Sequence, residues 1–351
     1  MPRVVGIDPG TLSIDVCGLD EGRVVLDRAW PTAEALARVD EFVGYVSSAG
    51  EPALVAGVSG YGLPLVRADQ VTEEEWRLAF LAAPGDEGGI GGLRRLTRQL
   101  CAARLPVVFL PGVVHLDTVP AHRKLNRVDL GTADKVSVAA LAVAEQAKRL
   151  NVDARQTSFV LLELGGAFSA ALAVAQGRIV DGLGGTSGPI GWRAAGALDG
   201  EVAFLAGTID KSFLFEGGVE SVVAQRPDFE QEAFEGFVEG AVKAAHLMLL
   251  SAPSAREIVI SGRRGADPKV RGALETRLGS LAPLIDLRGF ARFAKQGAQG
   301  AALIADGLAG GKHESLVEAL RLRHAAGSVL DHLFVVSPEH ARRRLGLGQG
   351  E

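Results

Sequence analysis

Cysteine is scarce in this 351-residue chain: only Cys17 and Cys101 are present, and they form none of the close spacings that hold a metal or a redox pair. A disulfide framework and a cysteine-ligated zinc site are excluded, and Cys17, inside an apolar run, reads as a small core residue. An excess of positive charge is missing as well. Lys and Arg total 37 against 42 Asp and Glu, a net charge of −5, and no basic run is long enough to follow a nucleic-acid backbone. No nucleic-acid partner is expected. No apolar run approaches the roughly 20 residues of a bilayer-spanning helix, so no membrane partner is expected either. The first strand signal begins within a few residues of Met1, which leaves no space for a signal peptide and points to a cytoplasmic protein. What is present, 47% hydrophobic and 23% charged residues, suits a soluble chain with two packed cores.

The most informative stretch is Val4 to Arg23, VVGIDPGTLSIDVCGLDEGR. A short apolar strand ends in Asp8, turns through Pro9, Gly10 and Thr11, continues as a second strand, and reverses at Glu21 and Gly22 into a third. Similar text returns from Phe159 to Arg178 as FVLLELGGAFSAALAVAQGR, and without a gap Asp8 aligns with Glu163, Gly10 with Gly165, Gly22 with Gly177 and Arg23 with Arg178. Two related halves are therefore expected. In each, glycines let a phosphate approach the backbone. The first turn adds the Thr11 and Ser13 hydroxyls, and the second offers Gly165 and Gly166. Asp8 and Glu163 are placed to hold a hydrated Mg²⁺ or to orient water, with Asp8 the metal ligand. With 45 glycines in the chain, either turn alone reads equally well as an ordinary reversal; the ungapped repetition separates the two readings.

Between the meanders, Pro31 to Gly50 reads as a helix with Thr32 as cap, Ala53 to Val58 as a strand ending in SGYG, and Thr72 with Glu75 as a capping box. Ala83 to Gly92, APGDEGGIGG, reads as a flexible joint. A helix over Leu93 to Arg104 and a strand over Pro106 to Leu110 follow. Pro111 to Lys135 is densely polar, carrying His115, Asp117, His122, Arg123 and Lys124 among others; the choice is a functional loop or a solvated salt-bridge cluster. Thr132 caps a helix rich in Ala and Val. Gly182 to Glu201, GLGGTSGPIGWRAAGALDGE, gathers Thr186, Ser187, Gly188 and Arg193 in an anion-binding loop or an irregular connector. Phe229 to Leu250 is a core helix in which His246 reads as a packed residue, Glu257 to Ser261 a strand running into Gly262 and Arg263, and Gln296 to Leu308 a small-residue helix. The basic end of the tail, Arg342 to Arg344, reads as a solvated face.

GIDPGT resembles the first phosphate loop of the superfamily that holds actin, sugar kinases, heat-shock chaperone ATPases and acetate kinase. LELGGAFS resembles a degenerate second phosphate loop, and IVISGRR, Ile258 to Arg264, the adenosine-side segment. HLDTVPAHRKLNRVDLGTADK with GLGGTSGPIGWR is similar to an uncharacterised prokaryotic family labelled as predicted butyrate kinases. The resemblance, which covers most of the chain up to about Gly311, implies an α/β fold of two duplicated ribonuclease H-like domains, each a mixed five-stranded sheet flanked by helices, spanning 1–150 and 151–311 around an interdomain nucleotide cleft; beyond it, 312–351 reads from its own residues as a helical tail. It implies an ATP-dependent phosphotransferase that uses Mg²⁺, exchanges ATP and ADP, and forms an acyl phosphate on a small carboxylic acid. The implied catalytic set is Asp8, Glu163, Arg193, His115 and Arg123; the nucleotide set Gly10, Thr11, Ser13, Gly165, Gly166, Ser261, Gly262 and Arg263; and the substrate set Thr186, Ser187 and Gly188. A homodimer is left open. The alternative is an ATPase or sensor of the actin and chaperone kind, because Ala167 and Phe168 follow Gly166 where a hydroxyl residue belongs. A carbamoyl transferase with a histidine metal pair is disfavoured, since Pro120 stands between His115 and His122.

Overall fold

The N-terminal meander forms as β1 (Arg3–Pro9), β2 (Ser13–Asp20) and β3 (Arg23–Pro31) in a computed structural model that describes residues 2–48, 50–85 and 89–347. By its contacts the chain divides into two units. One comprises Met1–Val128, Thr132–Arg155 and Arg288–Glu351, the other Asp129–Gly131 and Gln156–Leu287.

In the first unit the helical stretch after β3 is split into α1 (Thr32–Ala37) and α2 (Val39–Ser47), because Arg38 leaves the helical region at φ −115° and ψ 51°. β4 (Leu54–Gly57), β5 (Gly62–Arg67) and β6 (Val107–Pro111) complete a sheet of order β3-β2-β1-β4-β6-β5. β1, β4 and β6 run parallel and read as continuous apolar runs, as strands covered on both faces do. The sixth strand, β5, has no counterpart in the expected five. Pro64 breaks its sequence signal, and proline is tolerated because β5 lies at the sheet edge. α3 (Glu73–Phe80) starts on the expected capping box of Thr72 and Glu75. Of the expected joint over Ala83 to Gly92, residues 86–88 lie outside the described residues. α4 (Gly89–Ala102) puts Leu96 and Leu100 into one core with Phe42 and Val46 of α2. α5 (Ala121–Lys124) and α6 (Ala133–Leu150) follow.

The second unit repeats the scheme with β7 (Phe159–Leu164), β8 (Ser169–Ala175) and β9 (Arg178–Leu183). Its helices are α7 (Gly200–Ala206), α8 (Val219–Gln225), α9 (Glu230–Ser251) and α10 (Pro268–Leu278), and β10 (Ile258–Ser261) and β11 (Leu284–Asp286) complete the order β11-β10-β7-β8-β9. The α9 stripe Phe234, Phe237, Val238, Ala241 and Ala245 is core, while His246 is exposed with a ring nitrogen on the Val242 carbonyl. The two meanders agree in detail. Val4 pairs with Leu19, and Phe159 with Val174; the bulge falls between Gly18 and Leu19 in one and between Ala173 and Val174 in the other. Gly10 N–H donates to the Ser13 carbonyl at 2.9 Å, and Gly165 N–H to the Phe168 carbonyl at 2.9 Å. Glu21–Gly22 and Gln176–Gly177 both adopt positive φ, as two-residue hairpin turns require.

From Arg288 the chain belongs to the first unit again, so α11 (Gln296–Leu308) lies on β1 and α6, although the expected limit at residue 311 assigns it to the second half. A stripe of small residues fits any close neighbour, so its pattern does not name the partner. α12 (Glu314–Ala319) and α13 (Pro338–Arg344) end the chain. The tail is strapped to the polar stretch that follows β6. Arg321 pairs with Asp117 at 2.5 Å, Ala326 N–H donates to the His115 carbonyl at 2.9 Å, and Phe334 and Val335 N–H donate to Asn126 Oδ1 at 2.7 and 2.9 Å. Arg342 pairs with Glu74, so the basic tail end is not merely a solvated face.

His115 lies beneath this strap, 2% exposed, and burial pushes its pKa down to about 4, with Lys124 adding to the fall and the Gly112 backbone and Asp331 opposing it. The folded chain binds fewer protons than the unfolded chain between about pH 4 and 6.5. The His115 contribution is complete above pH 6.5 and lost as pH falls toward 4, roughly 2–3 kcal/mol across the window. Urea unfolding from pH 4 to 7 should show a shallower loss for His115→Gln than for the wild type, and equal slopes would acquit His115.

Candidate functional site

β1 carries Asp8 to the carboxyl end of a parallel strand, where ligands of α/β sheets bind. The turn that follows is clamped. Thr32, expected as a helix cap, donates its hydroxyl to the Gly10 carbonyl at 2.8 Å and its N–H to the Leu12 carbonyl at 3.1 Å, while Thr11 and Leu12 are exposed. Behind the turn Asp15 is fully buried, and it accepts the Ser13 hydroxyl at 2.6 Å and the Lys295 N–H at 3.0 Å.

Asp8 is 9% exposed and lines a hollow with Gly57, Ser59, Asp134, Ser137 and Gly297. Gly297, in the first turn of α11, comes so close that a Cβ there would lie 2.4 Å from Asp8 Oδ2. Burial raises the Asp8 pKa to about 7; Asp134 and Asp15 push in the same direction, and Lys295 and Lys135 pull against them. Asp134 goes the other way. Burial opposes its ionisation, yet the Lys135 ammonium at 2.6 Å and the Thr132 hydroxyl hold its carboxyl below the usual range. Two adjacent carboxyls thus differ in proton affinity, as a site that holds or moves a proton requires. Their oxygens also suit a hydrated Mg²⁺, which binds through one or two carboxylates and keeps several waters. No cluster of three or more potential ligands occurs among the described residues.

The second turn has a different lining. Glu163, the last residue but one of β7, lies beside Ser261 of β10, its partner in register. Gly262, at φ +85°, has no space for a side chain, because a Cβ would lie 2.4 Å from the Leu164 carbonyl oxygen and 2.9 Å from Glu163 Oε1. Glu163, Gly165, Ser261 and Gly262 therefore stand together; the Ser261 hydroxyl is buried without a hydrogen-bond partner, and Arg263 is exposed. Arg264 stacks on Trp192 at 3.6 Å. Behind the turn, the Ala167 carbonyl accepts N–H groups from Arg193 at 3.0 Å and Ala194 at 3.2 Å, and Phe168 meets Phe215 edge-on at 5.0 Å. Ser169 donates to the Ile190 carbonyl at 3.2 Å, so its hydroxyl does not replace the one that Ala167 and Phe168 lack.

The remaining candidates are dispersed. Thr186 donates its N–H and hydroxyl to Asp129 Oδ2 at 2.9 and 3.0 Å, and Ser187 donates to the Asp129 carbonyl. These donors of the loop are directed at the chain's own Asp129. Gly188 is buried and its carbonyl accepts Ala197 N–H at 2.8 Å. Arg193 is half-exposed, 3.7 Å from Glu220. Arg123 lies in α5 and His115 under the tail, and neither is among the groups that act on Asp8. Of the groups that do, Asp134 and Lys135 belong to the densely polar stretch of the sequence without a role being assigned to them there, and Asp15 and Lys295 are not marked by the sequence at all. The particular place of Asp134 is legible as an acid in the first turn after a Thr cap, whereas Lys295 leaves no local signal.

No curated protein matches the chain in sequence. Solved structures share its fold. A propionate kinase from Francisella tularensis subsp. tularensis SCHU S4 superposes with a TM-score of 0.61 at 13% identity, over 86% of this chain and 98% of that one. Acetate kinase from Entamoeba histolytica gives 0.56 at 12%, over 80% and 87%, and acetate kinase from Porphyromonas gingivalis 0.56 at 14%, over 86% and 98%. Over residues 6–335 the chain matches, and so belongs to, the family described as "Protein of unknown function (DUF1464)".

Proposed function

We propose that the protein is an ATP-dependent phosphotransferase whose acceptor is a small carboxylic acid and whose product is an acyl phosphate, as in the family labelled predicted butyrate kinases. The observation that carries this reading is the acid-tipped glycine turn, present twice in one register, with the first acid buried beside Asp134. The shared fold of acetate and propionate kinases supports it. In this reading Gly10, Thr11 and Ser13 and, in the other unit, Gly165 and Gly166 present backbone N–H groups and hydroxyls to the polyphosphate, and Ser261, Gly262 and Arg263 take the nucleoside side. Asp8 and Asp134 would hold Mg²⁺, whose charge offsets that of the transferred phosphoryl group. Arg193 is the cationic candidate of the second unit. A carboxylate acceptor is itself a nucleophile and needs no strong base. His115, buried and neutral, brings no charge to this chemistry.

The second reading, a nucleotide-binding sensor or ATPase without a metabolite acceptor, is favoured by one observation: Phe168 is turned onto Phe215 where a hydroxyl is needed. ATP consumption stimulated by short-chain acids, with acyl phosphate trapped by hydroxylamine, selects the first reading; hydrolysis indifferent to acid selects the second.

Asp8→Asn should lower acid-dependent turnover at least about 100-fold, the scale of losing one preorganised electrostatic group. It should also stabilise the metal-free fold at high pH. The Asp8 pKa is raised from 3.8 to about 7, so its folded-state advantage is complete below pH 4 and lost as pH climbs through 7. Asparagine removes the cost of the buried charge, roughly 1–3 kcal/mol at pH 8 and little at pH 5, which thermal melts at the two values would read. A variant less stable than wild type at pH 8 would contradict this. Gly165→Val places branched carbons where Cβ is already 3.0 Å from the Phe168 carbonyl oxygen and 3.3 Å from Glu163 Oε1. The thermal shift given by Mg-ATP should disappear in that variant, and an undiminished shift would remove the second turn from the nucleotide site.

A further inference from the structure

We infer that Lys295 is the cation of the first glycine turn, its ammonium contacting the phosphate oxygens of a polyphosphate bound there. The inference deepens the phosphotransferase reading and rests on it for the identity of the ligand. Lys295 is distant from the turn in sequence, yet its Nζ is 3.1 Å from Asp15 Oδ2 and 3.4 Å from the Ser13 carbonyl oxygen. A Cβ on Gly10 would lie 2.8 Å from the same Nζ, so the ammonium passes over the one residue whose missing side chain opens the turn. An ammonium has three donors. Asp15 and Ser13 face two of them and leave one for a ligand, and the side chain is 43% exposed while Asp15 behind it is sealed.

The lysine is also held in place before any ligand arrives. Its N–H is fixed to Asp15, and the three residues before it, Arg292, Phe293 and Ala294, donate their N–H groups to the Asp27 carboxylate at 2.7, 3.0 and 2.7 Å. Two carboxylates on neighbouring strands thus set the lysine's position, which is preorganisation by supporting contacts. The charge balance calls for it. Asp8, Asp15 and Asp134 make this end of the first unit acidic, and Lys135 is taken up by Asp134 at 2.6 Å, whereas Lys295 stands at the turn itself.

The competing role for Lys295 is neutralisation of Asp15 alone, and the test separates the two. Binding of inorganic tripolyphosphate would be measured by calorimetry for the wild type, Lys295→Met, Lys295→Arg and the double variant Asp15→Asn/Lys295→Met. The double variant removes the buried charge together with its counter-ion, so the lysine is no longer needed to neutralise Asp15. The expected result is a loss of at least about tenfold in tripolyphosphate affinity for both methionine variants, retention within about threefold for the arginine variant, and a parallel rise in the KM for ATP. Affinity within twofold of wild type in folded Lys295→Met or in the double variant would overturn the inference, as would a wild type that does not bind tripolyphosphate. Lysine-dependent binding without acid-stimulated turnover would reject the carboxylate-kinase reading and keep this one; acid-stimulated turnover indifferent to Lys295→Met would do the reverse.

Discussion

Gly6 has no space for a side chain: a Cβ there would lie 2.1 Å from the carbonyl oxygen of Ala298 and 2.3 Å from the amide nitrogen of Ala302. The backbone of α11 therefore rests directly on the backbone of β1, and Gly300 makes the same demand where α11 crosses α6, its Cβ position being 1.8 Å from the Ser137 carbonyl oxygen. Contact this close fixes α11 in rotation and along its axis, since packed interiors yield little. Its consequences reach the site. With α11 pressed on β1, Gly297 falls against Asp8 and Lys295 against Gly10, and one helix from the far end of the chain finishes both the acid and the turn. An alanine at position 6 would separate these backbones and shift both groups, with no change in any residue that touches a ligand.

The same contact explains why Asp8 can be kept in so unfavourable a setting. A buried carboxyl beside a second carboxyl disfavours its charged form, and a fold keeps such a group only where the surroundings are rigid enough to prevent its escape to water. Here the surroundings are the start of α6, the start of α11 and the end of β4, all held by apolar strands with little or no exposure. The cost is concentrated on Asp8, and Asp134 avoids it by pairing with Lys135 and Thr132. The two neighbouring acids therefore differ in the direction of their shifts, Asp8 up and Asp134 down.

The parts of this arrangement legible in sequence are those made by neighbours in the chain. The meanders could be read because strand, turn and bulge recur at a fixed step of 155 residues, Asp8 to Glu163, and the capping box of α3 could be read because its two members are three residues apart. β5 could not, because Pro64 erases its alternation. Nor could the placement of α11, whose glycines and alanines suit any near neighbour. Thr186 and Ser187 show a deeper limit: a loop that greets a phosphate and a loop that greets Asp129 have the same composition, and only the folded structure shows that these donors meet Asp129. The polar stretch after β6 is similar, since residues that hold the tail and residues that would hold a substrate are drawn from one set.

What the duplication left unequal is as informative as what it preserved. Both turns keep the closing hydrogen bond and an acid at the strand end, yet Ser13 corresponds to Phe168 and Asp15 to Ala170 one repeat later. In the first unit these positions carry a hydroxyl and a buried carboxylate that anchors an ammonium; in the second they carry an aromatic ring packed on Phe215 and a buried methyl group. A turn backed by a buried carboxylate and a half-exposed ammonium presents charge beside its backbone. A turn backed by a ring and a methyl group has no charge behind it, and its polar side chains are Glu163 and Ser261 alongside. Behind the first turn the repeat has thus kept charged and hydrogen-bonding groups, and behind the second an apolar packing that leaves Glu163 and Ser261 as the polar side chains beside it.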